Sequence, residues 1–328
     1  MLYRQIKIIF LIIIFLTGIV FSGFSQSEFP DLKTLQEGVV DFSKEIVKSL
    51  PLNSSLGLNW ADAYIGKLIP SAPPHFGIGG SFGFTTIELP VVKTLAGYFG
   101  YKLPFNKKKL LLPAYTAEAR LGGLFLPFDI GFKIGYLPSI ALWGSGMNIN
   151  YLLVGGDIRY ALLDKKVLPK ISLGIGFNYL KSGIGGKAGS SQTFEFDGDS
   201  IILSQPDINL KWKTMSLDFK AQISKSLLII TPYIGIGATY AWSSAGYSVD
   251  TQITGDIDEV KGYIDSLRLK SINIDESGMS SIVKSKAFSF RTFGGLSFNM
   301  AVIKLDFTGL YSFRDKNFGA SVGLRLQL

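Results

Sequence analysis

Apolar and polar positions alternate with a period of two in one segment after another from residue 76 to the end of the chain. Phe128, Ile130, Phe132, Ile134 and Tyr136 interleave with Asp129, Gly131, Lys133 and Gly135. Met215, Leu217, Phe219, Ala221 and Ile223 interleave with Thr214, Ser216, Asp218, Lys220 and Gln222. The stretch Phe318 to Leu328 keeps the alternation into its final residue, where a soluble domain would ordinarily fray. A period of two sends successive side chains to opposite faces of a strand. The pattern predicts about ten strands of roughly 9 to 15 residues, the length with which a tilted strand crosses a bilayer.

The connections alternate in length. Residues 88–113, 138–148, 183–211 and 244–283 are long. Residues 123–127, 163–169, 224–228 and the Met300–Ala301 junction are short, and Arg314–Asn317 is brief and out of pattern. Short turns at one end and long loops at the other are the plan of an outer-membrane barrel. With both termini on the short-turn side, Tyr115, Tyr136, Tyr179, Tyr240, Trp242 and Tyr311 gather near the long-loop rim, and Phe76, Phe128 and Tyr160 near the other. Tyr and Trp favour the headgroup level, where the ring is dry and its tip wet. A soluble sandwich has no reason to sort them so. The fold class is therefore all-β: a transmembrane, antiparallel, up-and-down β-barrel over residues 76–328. Its strand count is about ten, with roughly 10–14 open to the pattern, and residues 192–204 are a candidate for an extra extramembrane hairpin.

Ahead of it the period changes. Residues 1–25 have a basic start (Arg4, Lys7), an apolar run from Ile8 to Val20, and Gly23 and Ser25 at small-x-small spacing. That is a secretory signal peptide, with the mature chain beginning near Gln26. In the extension 26–75, Leu32, Leu35, Val39, Phe42 and Ile46 recur at three- and four-residue steps, one face of an amphipathic helix over Asp31–Leu50. Asp31 is its expected N-cap and Pro51 its stop. Leu35, Val39, Phe42 and Ile46 are the candidate contacts of a hatch inside the barrel; the alternative is a periplasmic position against a partner or the membrane surface.

Composition changes the picture in two places. There is no cysteine, which removes disulfides, thiolate metal sites and a lipidated anchor. Once Arg4 and Lys7 are gone the formal charge falls from +8 to +6, with no basic run interleaved with aromatics, so nucleic acid is not an expected partner. The mean hydropathy of +0.30 and the 37 glycines suit an exported chain whose apolar residues face lipid.

The polar phase carries the candidate lumen lining: Glu118, Arg120, Asp129, Lys133, Asp157, Arg159, Asp218, Lys220, Arg291, Lys304, Asp306 and Arg325. Glu118/Arg120, Asp157/Arg159, Asp218/Lys220 and Lys304/Asp306 are each an acid and a base two residues apart, so both point inward on one strand. They make either a self-neutralising network or, with seven bases against five acids, a path favouring anions. Inward glycines are expected to widen the narrow space that ten strands enclose.

Catalysis finds no footing. The single histidine, His75, stands between Pro74 and Phe76 at the entry of the first strand, a loop or interface position. Asp197–Asp199 and the acids Asp250, Asp256, Asp258, Glu259 and Asp265 lack the ligand spacing of a calcium loop. No enzyme activity, metal or cofactor is expected.

Two resemblances follow. Ser321, Gly323, Leu326 and Leu328 resemble the C-terminal signature of outer-membrane β-barrels: a polar residue, a glycine and two hydrophobics at alternate positions. The resemblance implies recognition by the barrel-assembly machinery, with Leu standing where an aromatic residue is more usual. An amphipathic segment feeding a barrel with long outer loops is similar to the outer-membrane long-chain fatty-acid transporter family. Asn59–Ala61 of "NWADAY" partly echo that family's hatch motif. That likeness implies a hatch inside the barrel and movement of hydrophobic molecules toward lipid. The expectation is an outer-membrane channel or transporter for small hydrophobic or amphipathic molecules, surrounded by outer-membrane lipid in a diderm bacterium. The alternative is a structural or adhesive barrel acting through its long loops.

Overall fold

The computed structural model describes residues 32–69, 74–88, 109–142, 147–165, 167–187, 192–196, 199–203, 207–250, 253–254, 273–275 and 278–328. Helix α1 (Leu32–Ser54) precedes β1 (Phe76–Glu88), β2 (Lys109–Gly122), β3 (Phe128–Leu142), β4 (Met147–Leu163) and β5 (Lys170–Lys187). Then come β6 (Gln192–Phe196), β7 (Asp199–Leu203), β8 (Asp207–Ser224), β9 (Ile230–Asp250) and β10 (Ile253–Thr254). β11 (Asn273–Asp275), β12 (Gly278–Met300), β13 (Ile303–Ser312) and β14 (Phe318–Gln327) complete the chain. The expected signal peptide, the Asp31 cap and most of the acidic loop beyond Asp250 lie outside the described residues.

Ten strands form a closed antiparallel ring in the order β12-β13-β14-β1-β2-β3-β4-β5-β8-β9, with β9 returning to β12. The last strand meets the first. β14 pairs with β1 from Gly77↔Gln327 to Thr85↔Gly319, and the Leu328 amide donates to the Phe76 carbonyl at 3.0 Å. This explains the unbroken C-terminal stripe: closure satisfies the backbone groups that an open sheet edge would leave bare in lipid. Leu326 and Leu328 point outward, while the buried Ser321 lies on the lumen phase.

The wall is inside out by the standard of a soluble protein. Phe132 is 59% exposed, while its neighbour Lys133 is 4% exposed. The outer face carries Ile78, Phe82, Ile134, Ile158, Phe219, Ile236, Phe290 and Leu324, all exposed. Among the described residues no helix is long and apolar enough to span a bilayer. The strands make the crossing, and a continuous apolar outer wall fits an outer-membrane barrel.

Two expectations are corrected and one is met. The strands exceed the expected length, with 21 residues in β9 and 23 in β12. Residues 183–187, 207–211, 244–250 and 278–283, expected in loops, are therefore wall, because strands that have left lipid keep pairing without an apolar stripe to announce them. Residues 192–204 do form a hairpin, β6–β7, joined by β10 in a separate small sheet. Pro51 does not stop α1, which runs to Ser54. Proline there forfeits one helical hydrogen bond in the last turn, and the hydroxyls of Ser54 and Ser55 donate back to the carbonyls of Pro51 and Leu52 at 3.0 and 2.7 Å.

α1 lies in the lumen and enters it from the long-loop end. Descending, Ser49 donates to the Thr86 carbonyl near the outer end of β1, Asn53 to Thr85, and Ser54 meets Ser216. The irregular stretch 55–66 continues down to the short-turn end, where Gly66 lies against His75. Asp41 and Lys44 stand above the mouth, about half exposed. The absence of native cysteine makes this direction directly testable. In intact cells Asp41→Cys should react with a membrane-impermeant maleimide, and Val167→Cys, 83% exposed in the β4–β5 turn, should not. The opposite labelling pattern would invert the barrel in its membrane.

Candidate functional site: a clasped plug and a seam in the wall

The stretch "NWADAYIG" has no regular structure, so its backbone groups need partners from outside it. The barrel supplies them with side chains. Glu118 accepts from the Leu58 amide at 2.9 Å and from the Trp60 indole at 2.7 Å. Gln222 donates to the carbonyls of Trp60 and Ala61 at 2.9 and 3.1 Å, and Arg159 to that of Asp62 at 2.7 Å. Ser224 accepts from the Ala63 amide, Lys170 donates to the Tyr64 carbonyl, and Asp129 accepts from the Ile65 amide. Lys133 donates to the carbonyls of Ser54 and Leu56 at 2.8 and 2.6 Å, a cation at the negative end of α1. Gly57, at φ +83°, makes the turn beneath the helix; a Cβ there would meet the Thr116 hydroxyl at 2.6 Å. Asn59, at the expected hatch motif, donates to the Ser55 carbonyl and accepts at its own carbonyl from Tyr233.

All twelve lumen candidates face inward, and eleven are buried, with Lys304 partly so. The described ion pairs of the lumen run between strands rather than between the acid and base of one strand. Asp129 holds Arg120 at 2.5 Å and Arg159 at 2.8 Å; Arg120 also reaches Asp157 at 2.7 Å. Lys220 pairs with Asp157, Arg291 with Asp218 and Arg325 with Asp306. Side chains two residues apart on one strand are parallel neighbours, whereas those on adjoining strands converge on the axis. Nor do the inward glycines widen a channel. A Cβ on Gly131 would meet Asp157 at 2.6 Å and Arg120 at 2.7 Å, so the glycine is the gap through which Arg120 crosses β3 to reach β4.

The plug completes this network. Asp62 pairs with Lys304 at 2.8 Å and Arg325 at 2.9 Å. Burial acts to raise its carboxyl, but the two cations outweigh burial and hold it below the usual carboxylate range. The Trp60 ring lies 4.6 Å from the Arg325 guanidinium and 5.6 Å from that of Arg120. His75 contacts the Leu328 carbonyl at 3.1 Å, an interface position. Among the described residues no acidic or histidine cluster could hold a metal.

Above this charged layer an apolar cluster fills the lumen around α1, bordered by the buried hydroxyls of Ser49, Thr85, Ser182 and Thr214. Ile46, Val47 and Leu50 of α1 pack with Ile87, Leu153, Leu180, Trp212 and Leu310 of the wall, and Phe42 is half-buried against them. The side chains of Leu35 and Val39 lie outside the described residues. The inward apolar positions escaped the two-phase reading, although runs such as "YLLV" at 151–154, apolar in both phases, mark them.

Beside that apolar layer the wall is split. β2 pairs with β3 only from Ala117↔Ile134 to Gly122↔Asp129, although both strands continue outward. Each is held on its other side, β2 by β1 as far as Lys109 and β3 by β4 as far as Met147. Pro113 and Pro138, which have no N–H to offer, stand on the two unpaired stretches. The gap is filled by Tyr115 and Tyr151, stacked at 4.8 Å, and Gly135 makes room for the Tyr151 ring and the Tyr115 carbonyl. The Tyr115 hydroxyl is buried with no hydrogen-bond partner among the described residues.

No family model matches this chain, and no curated protein does. Solved structures do. The outer membrane protease OmpT from Escherichia coli is 12% identical at TM-score 0.40, over 78% of this chain and 97% of that one. The translocator domain of autotransporter NalP from Neisseria meningitidis is 9% identical at TM-score 0.36, over 89% and 96%. A Pseudomonas aeruginosa FadL homologue is 7% identical at TM-score 0.25, over 77% and 89%. At such values the likeness extends to the barrel and no further.

The charged layer makes one firm expectation. Asp129→Ala leaves Arg120 and Arg159 buried without their shared carboxylate and the Ile65 amide without an acceptor. Loss of one member of a buried pair costs about 3–5 kcal/mol. Urea unfolding followed by tryptophan fluorescence should show a midpoint well below wild type, and an unchanged midpoint would contradict the clasp.

Proposed function

We propose that this barrel passes small hydrophobic or amphipathic molecules from the outside into the outer membrane through the seam between β2 and β3, without catalysing a reaction. The observation that carries this reading is the coincidence of that seam with the apolar cluster of the lumen. Leu112, Tyr115 and Leu137 at the split pack against the same cluster as Leu50 and Leu153. An apolar molecule entering from the mouth meets ion pairs below and a tyrosine-filled gap at the side. Charged groups bonded to one another and to the plug offer it no favourable surface, whereas the gap leads to lipid. Tyr115, a buried donor with no acceptor among the described residues, suits the polar end of an amphipathic molecule. Because α1 occupies the apolar layer, the helix is the element that shifts as a molecule passes.

A second reading has its own support. β9 and β12 stay paired from Ile230↔Phe298 to Asp250↔Gly278, carrying a ribbon roughly 26 Å along the strand beyond Trp242. Such a projection suits contact with another surface, and in that case the lumen is permanently sealed.

Transfer of a fluorescent fatty probe into proteoliposome lipid separates the two. Tyr151→Ala, which removes the stack without touching the ion pairs, should speed transfer several-fold over wild type. In planar bilayers the full-length protein should be silent to ions and a version lacking residues 27–70 should conduct. Transfer that is absent in both wild type and Tyr151→Ala would sink the transport reading in favour of surface contact.

A further inference from the structure

The outer wall carries a basic row that neither the lumen nor the seam explains. The register places Lys181 directly opposite Lys213, Lys213 opposite Ser244, and Ser244 opposite Lys284, across the adjacent strands β5, β8, β9 and β12. Lys211 stands one outward step above Lys213, and Lys286 one step below Lys284. All five lysines are exposed and none is ion-paired among the described residues. Like charges directly opposite on neighbouring strands repel, and here no acid on the described face of the row relieves them.

The height of the row is set by the residues beneath it. One step toward the membrane the same strands present Tyr179, Met215 and Trp242; the next step presents Phe177, Leu217, Tyr240 and Phe288. Tyr240 and Trp242 meet edge to face at 4.7 Å. These aromatics mark the boundary between acyl chains and headgroups. The lysines therefore lie at headgroup level on the loop side, pointing away from the barrel. Neighbouring strands are about 4.8 Å apart, so Lys181 and Lys284 frame a patch roughly 14 Å wide. On the described outward positions of β13, β14, β1 and β4 at this level there is no lysine, so the row belongs to one side of the barrel, away from the β2–β3 seam.

We infer that Lys181, Lys213 and Lys284 form a binding site for the phosphate groups of an anionic lipid of the outer leaflet, with the acyl chains lying on the aromatic and aliphatic rows below. A lysine at a membrane surface attracts anionic headgroups, and a phosphate seated between Lys181 and Lys213 turns a repulsive pair into a bridged one. The multiply phosphorylated headgroup of a glycolipid fits the spread of the patch better than a single small anion.

The test uses the full-length protein folded in zwitterionic detergent, with bound lipid counted by native mass spectrometry. A bisphosphorylated glycolipid, its dephosphorylated form and inorganic phosphate are compared on wild type and on the Lys181→Gln, Lys213→Gln, Lys284→Gln triple variant. Wild type should retain the bisphosphorylated lipid, and the variant should bind it about tenfold more weakly or worse. The dephosphorylated lipid should bind both proteins weakly and alike. Lys211→Gln with Lys286→Gln, at the margins of the patch, should lose less. Heat-modifiable gel mobility confirms that each variant is folded, and if the triple variant is not, Lys213→Gln alone carries the comparison. Equal retention by wild type and variant would overturn the site. Displacement of the lipid by inorganic phosphate at comparable concentration would reduce it to a simple anion site and overturn the lipid assignment.

Discussion

In lipid a backbone amide or carbonyl has no water to turn to, and that constraint shapes this molecule from the wall inward. It requires the ring to close, which places Leu328 against Phe76. Closure creates an interior, and the interior is filled by an irregular chain with unmet backbone groups of its own. The wall answers with side chains: Glu118, Lys133, Arg159 and Gln222 each reach a different peptide group of the plug. The plug is thus held through its main chain more than through its side chains, apart from Trp60 and Asp62.

The lumen charges follow from the same requirement. An isolated buried arginine or aspartate would be costly, so each is shared among several partners. Asp129 serves two arginines and one plug amide, and Asp62 joins Arg325 and Lys304 on neighbouring strands. Among the twelve lumen charges picked out by phase, seven bases face five acids, and Asp62 brings a further acid from the plug. The extension is part of the barrel's charge balance. Small residues serve this arrangement too, since Gly131 leaves the path along which Arg120 reaches Asp157.

Much of this was legible in the sequence because lipid imposes a strict period. The alternation at Phe128–Tyr136 or Met215–Ile223 marks strand, face and membrane depth together, and the twelve inward charges follow from phase alone. What the period cannot show is anything decided between strands. The partners of Arg120 and Asp157 depend on register, and the register across β2 and β3 fails above Ala117 and Ile134 without disturbing either strand's own pattern. Pro113 and Pro138 were visible throughout, yet only the pairing shows that they stand on the two sides of one gap. Likewise Lys181, Lys213 and Lys284 are far apart in the chain and form a row only once the strands are aligned. The length of β9 and β12 was hidden for another reason: outside lipid, a paired strand needs no apolar stripe.

The descent of α1 and residues 55–66 through the lumen has a consequence for the order of assembly. Asp62 is bound to Arg325, 263 residues later in the chain, on the strand that closes the ring. A helix running from mouth to base cannot readily be threaded into a finished cylinder whose walls already grip one another. The extension must be in position while the sheet is still an open, curling band, so that β14 folds over it as it meets β1. The plug is in that sense a mandrel around which the barrel is wrapped. The slow step of folding then joins the most distant parts of the chain, in keeping with the cost of non-local contacts.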